Sequence, residues 1–97
     1  MKLRITTNLQ YSWVRILQMA GYHQHQEGYV KRLSRDFYPR FHIYLQREDA
    51  NELLFDLHLD QRAGVHVGVK AHANERDTEV VQNEASRVQE IFTANYN

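Results

Sequence analysis

Two stretches of the chain alternate apolar and polar residues with a period of two. In the first, Phe41, Ile43 and Leu45 alternate with His42, Tyr44 and Gln46. In the second, Leu53, Phe55, Leu57 and Leu59 alternate with Leu54, Asp56, His58 and Asp60. Side chains on a strand point to opposite faces in turn, so each stretch reads as a strand with one buried face. The short polar segment Glu48-Asp49-Ala50-Asn51 joins them, which predicts a β-hairpin. A shorter alternation at Lys2 to Thr6 predicts a first strand, with Leu3 and Ile5 on one face.

Helical spacing appears twice. Trp13, Ile16, Leu17 and Ala20 fall at i, i+3, i+4 and i+7, which predicts a helix from Trp13 to about Ala20. Ser12 is placed to cap its start, and Gly21 to end it in a left-handed conformation. Val81, Ala85, Val88 and Phe92, with Ile91 beside them, form the stripe of a second helix over 78–94. Asp77 is the expected cap, and Glu79 suits the positive end of the helix dipole. Gly28 opens a further strand from Tyr29 to Leu33, and Pro39 marks a turn or a sheet edge before the hairpin.

The predicted order is β-α-β-β-β-α. The expected fold is an α+β two-layer sandwich, an antiparallel sheet with two helices on one face, since each element must bury its apolar side. The stretch 61–77 is long for a connection in so small a domain, and long ordered loops often carry function. Within it Val65, Val67 and Val69 alternate with His66, Gly68 and Lys70, which offers an extra edge strand over 65–70.

Length makes residues 1–97 a single domain with one modest core. Without cysteine, neither a disulfide nor a thiolate ligand contributes. Lack of cysteine fits a reducing compartment, and Met1-Lys2-Leu3-Arg4-Ile5 has none of the continuous apolar run of a secretory signal. The expected location is the cytoplasm, with no membrane span. Net charge is zero, yet residues 1–47 hold eight Lys/Arg against two Asp/Glu, while 48–97 hold four against ten. Such asymmetry marks either a side that meets a charged partner or two halves that interleave and neutralise each other.

The alternation gathers chemistry on the hairpin. If odd-numbered residues face the helices, His42, Tyr44, Asp56, His58 and Asp60 share the other face. With the turn centred on Asp49 and Ala50, His42 lies opposite either Asp56 or His58, so a His/Asp/His cluster forms in both registers. Two imidazoles and a carboxylate suit zinc or a similar divalent ion, and His72, Glu75 and Asp77 could complete the shell. The metal candidates are therefore His42, His58, Asp60 and His72. A histidine beside an aspartate is also suited to act as a general base. The plain alternative is a solvated polar face, because six histidines in a short chain meet by chance.

A second pattern is basic and aromatic. Lys31, Arg32, Arg35, Arg40 and Arg47 interleave with Tyr29, Phe37, Tyr38 and Tyr44. Basic side chains neutralise phosphates and aromatic faces stack on unpaired bases, so Lys31, Arg32, Arg35, Arg40 and Tyr44 are the candidate nucleic-acid contacts. Asp56 and Asp60 on the same face would repel phosphate unless a metal bridges them. No RNP-type or GXXG motif is present.

The segments Arg35-Asp36-Phe37-Tyr38-Pro39-Arg40-Phe41-His42, Leu57-His58-Leu59-Asp60-Gln61 and Ala71-His72 with Glu75 and Asp77 resemble an uncharacterised family of small bacterial proteins of about this length. That resemblance runs from Leu3 to the last helix and implies attention to His42, His58, Asp60, His72, Glu75 and Asp77. Ala73-Asn74 stands where the family pattern has Ser-Gly, which bears on any tight turn before Glu75. The chain is also similar, over less of its length, to HicA-type mRNA interferases. Ala20-Gly21-Tyr22 matches the end of their helix, and Phe41-His42-Ile43-Tyr44 their catalytic strand. The resemblance implies a fold like that of double-stranded-RNA-binding domains and a catalytic role for His42, but Arg40-Phe41 replaces the glycine that precedes the histidine there.

The leading expectation is a small intracellular binding module with RNA or single-stranded DNA as partner. One alternative is a divalent-metal site on the hairpin face, with hydrolytic potential. Another is a structural domain that binds a protein partner or a second copy of itself.

Overall fold

The computed structural model describes residues 1–61, 74–75 and 78–97. Its elements are β1 (Lys2–Thr6), α1 (Trp13–Met19), β2 (His23–His25), β3 (Gly28–Arg32), β4 (Arg40–Glu48), β5 (Glu52–Asp60), β6 (Asn74–Glu75) and α2 (Glu79–Ala94). The sheet order is β1-β5-β4-β3-β2, and every pairing is antiparallel. β6 pairs with Leu59 and Asp60 at the far end of β5, beyond the stretch that β1 covers. This is the expected α+β sandwich with an added strand at each flank. The extra edge strand expected over 65–70 lies outside the described residues.

β2 went unpredicted because His23-Gln24-His25 has no apolar alternation. It forms because Gln26-Glu27 closes a two-residue turn that pairs His25 with Gly28. Gln26 adopts a positive φ of 53° there, as the first position of such a turn requires.

Helix boundaries follow local chemistry. The Ser12 hydroxyl accepts from the Arg15 amide at 3.2 Å and caps α1, and Gly21 ends that helix at φ 98°. α2 is capped by Thr78, whose hydroxyl accepts from the Val81 amide. Thr78 therefore holds the capping position that the sequence reading gave to Asp77, one residue earlier and outside the described residues.

Odd-numbered residues of β5, and of β4 as far as Leu45, face the helices, as expected. Phe41, Ile43, Leu53, Phe55, Leu57 and Leu59 pack with Leu3 and Ile5 against Ile16, Leu17, Val81, Val88 and Phe92. Trp13 closes one end of the core, edge-on to both Tyr29 and Phe55. Among the described residues, no helix is long and apolar enough to cross a membrane.

The opposed charges of the two halves meet in the sheet. Arg4 pairs with Glu52 at 2.6 Å, Arg40 with Asp60 at 3.5 Å and Arg47 with Glu52 at 3.6 Å. Each pair joins the basic half to the acidic half, because β5 is flanked by β1 and β4. Interleaving thus accounts for much of the asymmetry.

Candidate metal centre

The hairpin register sets His42 opposite His58, Arg40 opposite Asp60 and Tyr44 opposite Asp56. Of the two registers open from the sequence, this is the one that pairs the histidines. It holds from Arg40 to Leu45, after which a bulge at Gln46 shifts the ladder. The bulge lies towards the turn, so it leaves the cluster in register.

This face is far less solvated than an outer sheet face was expected to be. Asp56 is only 1% exposed, His58 6% and Arg40 8%. Each is covered by its neighbours. Tyr44 donates to Asp56 Oδ2 at 2.9 Å, and the Met1 nitrogen lies 3.1 Å from Oδ1. The rings of His42 and Tyr44 stand edge-on to His58, with centroids 4.7 and 6.2 Å away. The Arg40 guanidinium lies over Phe37 and Tyr38, 4.7 and 4.8 Å from their centroids.

Ligand atoms from three residues converge. His42 Nδ1 lies 3.1 Å from His58 Nε2, His58 Nε2 3.0 Å from Asp60 Oδ1, and His42 Nδ1 4.0 Å from Asp60 Oδ2. Ligand atoms held about 2.1 Å from a tetrahedral zinc stand about 3.4 Å apart, and one ligand atom from each of His42, His58 and Asp60 lies within 4.8 Å of the others. Protons alone fit the arrangement poorly. His58 Nε2 makes both short contacts, and a ring nitrogen carries at most one proton. If that proton points to Asp60, His42 Nδ1 can only share it as a second acceptor. If His42 supplies the proton, the carboxylate faces a bare nitrogen lone pair. A cation between the three residues would be a partner for all of them at once.

Electrostatics tune the set. Burial pushes the His42 pKa below its ordinary 6.5, His58, Arg40 and His25 add to the effect, and Asp60 opposes it. His42 is therefore neutral at pH 7, the state a metal ligand requires. Asp60 divides its oxygens, with Oδ1 towards His58 and Oδ2 towards Arg40. An outer partner on the second oxygen is how carboxylate ligands are commonly held in place.

Gly28 makes room for the cluster. A Cβ built there would overlap His42 Nε2 and would stand 2.9 Å from both His42 Cδ2 and the Ile43 carbonyl oxygen. Only glycine lets the imidazole lie over β3. A cavity of about 410 Å³ opens beside it, lined by His25, Gln26, Glu27, Arg40, His42 and Asp60.

Comparison with protein-family models, curated proteins and solved structures finds no match. The site must be read from its own residues. Of the four metal candidates, His42, His58 and Asp60 come together, whereas His72 lies outside the described residues. The nucleic-acid candidates divide. Arg32, Arg40 and Tyr44 lie on the site face, but Tyr44 is engaged by Asp56 and Arg40 is buried. Lys31 pairs with Phe41 and so turns to the helix side, where its methylenes lie beside Gly21. Arg35 is exposed in the loop between β3 and β4. Sequence reasoning missed His25, Glu27 and Gly28. The spacing His23-x-His25 followed by a two-residue turn into Gly28 was the signal for them.

Proposed function

We propose that this chain is a divalent-metal-binding module whose ligands are His42, His58 and Asp60, with zinc the ion best suited to two imidazoles and a carboxylate. The observation that carries this reading is the convergence of His42 Nδ1, His58 Nε2 and an Asp60 oxygen with too few protons to join them. Three protein ligands leave a coordination position open, towards which a cavity wall is available for a further ligand.

Thermal unfolding with and without zinc tests the reading. An ion present at a hundred times its Kd stabilises the folded state by about 2.7 kcal/mol. For a domain of this size that raises Tm by on the order of 10 °C. The gain should vanish in His42→Ala and His58→Ala. A wild-type chain that melts at the same temperature with and without zinc, manganese or cobalt overturns the proposal.

Support for a nucleic-acid partner is narrower. It rests on Phe37, 46% exposed and flanked by the Arg32 and Arg40 guanidinium groups. Binding of single-stranded RNA should then weaken steeply with salt and fall in Phe37→Ala.

A further inference from the structure

Arg40 has features that holding Asp60 in place does not explain. Its side chain is nine-tenths buried, and Nε and Nη1 have no hydrogen-bond acceptor among the described residues. Asp60 Oδ2, 3.5 Å from Nε, gives charge but no hydrogen bond. A guanidinium cannot shed its proton, so a charge this poorly solvated favours an anion beside it. The same residue lines the cavity that His42 and Asp60 also line.

Charge selects the anion. Without a metal, Arg40 and Asp60 cancel. With a divalent ion on neutral His42 and His58, the cluster of ion, Arg40 and Asp60 carries two positive charges. Glu27, on the wall formed by the β2–β3 turn, is exposed, and water screens its charge. His25 lies on that wall too, edge-on to Phe37. A phosphate group, which is close to a dianion at neutral pH and carries several acceptor oxygens, matches both the charge and the fork geometry of arginine.

We infer that the cavity beside His42 and Asp60 binds a phosphate group, held between the metal ion and the Arg40 guanidinium. This rests on the metal reading above. The phosphate belongs either to inorganic phosphate or to a nucleotide, and exposed Phe37 beside Arg40 would favour the nucleotide through stacking.

Calorimetry on the full chain separates the claims. Zinc is titrated first. Inorganic phosphate, ribose 5-phosphate and a nucleoside monophosphate are then titrated, each into zinc-loaded protein. All three should bind, with affinities that fall at least tenfold in Arg40→Gln and less in Arg40→Lys. Zinc should still bind both variants, more weakly where the outer partner of Asp60 is lost, so each phosphate titration is made at saturating zinc. A nucleoside monophosphate binding more tightly than ribose 5-phosphate assigns the nucleotide as the source, and equal binding assigns phosphate alone. Zinc-loaded wild type that binds none of the three, or a folded Arg40→Lys and Arg40→Gln pair that bind them as wild type does, overturns the inference. Failure of the first titration instead overturns the metal reading, whatever the phosphate does.

Discussion

Gly28 lies directly under the imidazole of His42, so close that a methyl group on Gly28 would overlap Nε2. The contact crosses from β3 to β4 and sets where the His42 ring can lie. Gly28→Ala must displace the ring, the Ile43 carbonyl or both. His42 is the softer of the two, since it is only half-buried while Ile43 belongs to the sheet ladder. Overpacking of this kind costs about 1–3 kcal/mol. The expected result is a folded protein with zinc affinity at least tenfold weaker, measured by calorimetry. Unchanged affinity would mean that the ring position does not matter to the ion.

The depressed pKa of His42 gives folding a pH dependence. In the unfolded chain this histidine titrates near its ordinary 6.5, and in the folded chain it titrates lower. Below 6.5 the unfolded state therefore binds more protons, so acid favours unfolding. The contribution is complete above 6.5 and is lost as pH falls through the folded value. Urea unfolding of metal-free protein between roughly pH 5 and 8 should show stability falling towards the acid side. His42→Asn should flatten that slope. A wild-type slope of the opposite sign would mean that the folded protein prefers the imidazolium.

Arg40 and Asp60 are balanced against each other in a poorly solvated place. Asp60→Asn removes the carboxylate that offsets a buried guanidinium, and breaking such a pair costs about 3 kcal/mol. It also removes one of the three proposed ligands. Loss of both stability and zinc binding is expected, whereas His58→Ala should lose zinc binding at a smaller cost in stability. Chemical denaturation of the two variants side by side decides this, and equal losses would argue against a special Arg40–Asp60 pair.

The fold was legible where one periodicity ruled. Phe41 to Leu45, Leu53 to Leu59 and the Val81–Phe92 stripe each have one buried face, and the structure buries it. Pairing of His42 with His58 was legible only as one of two registers, because a turn length does not by itself fix which residues bond. His23-Gln24-His25 was illegible as a strand, since an edge strand held by a turn needs no apolar face. The burial of Asp56, His58 and Arg40 was illegible for a different reason. Alternation tells which face a residue takes, but not what covers it. Here the cover comes from other polar and aromatic side chains, with Tyr44 on Asp56 and Phe37 and Tyr38 on Arg40.

One further group with no signal in the sequence links the helices. Glu84 lies on the buried side of α2, and Tyr22, just beyond α1, donates to its Oε2 at 2.6 Å. Arg87 donates to both Glu84 oxygens at 2.8 Å, and its Nη2 also reaches the Ala20 carbonyl at 2.7 Å. The end of α1 is thus fastened to α2 through a carboxylate. Burial raises the Glu84 pKa, but the bonds from Arg87 and Tyr22 outweigh it and leave the group below its ordinary 4.5. Burial, and then the Glu84 charge, drive the Tyr22 hydroxyl well above its usual 10. Glu84 therefore adds stability that is full above 4.5 and lost as pH falls through its folded value. Tyr22→Phe should cost about 1–2 kcal/mol, because Arg87 still satisfies the carboxylate. Glu84→Gln should cost more, since it weakens both bonds to Arg87 and leaves a buried amide with an imperfect set of partners. In a double-mutant cycle the two changes should couple by about 1 kcal/mol or more. Additive losses in urea unfolding would show that the hydroxyl and the carboxylate stabilise the protein independently, and that the fastening between α1 and α2 lies elsewhere.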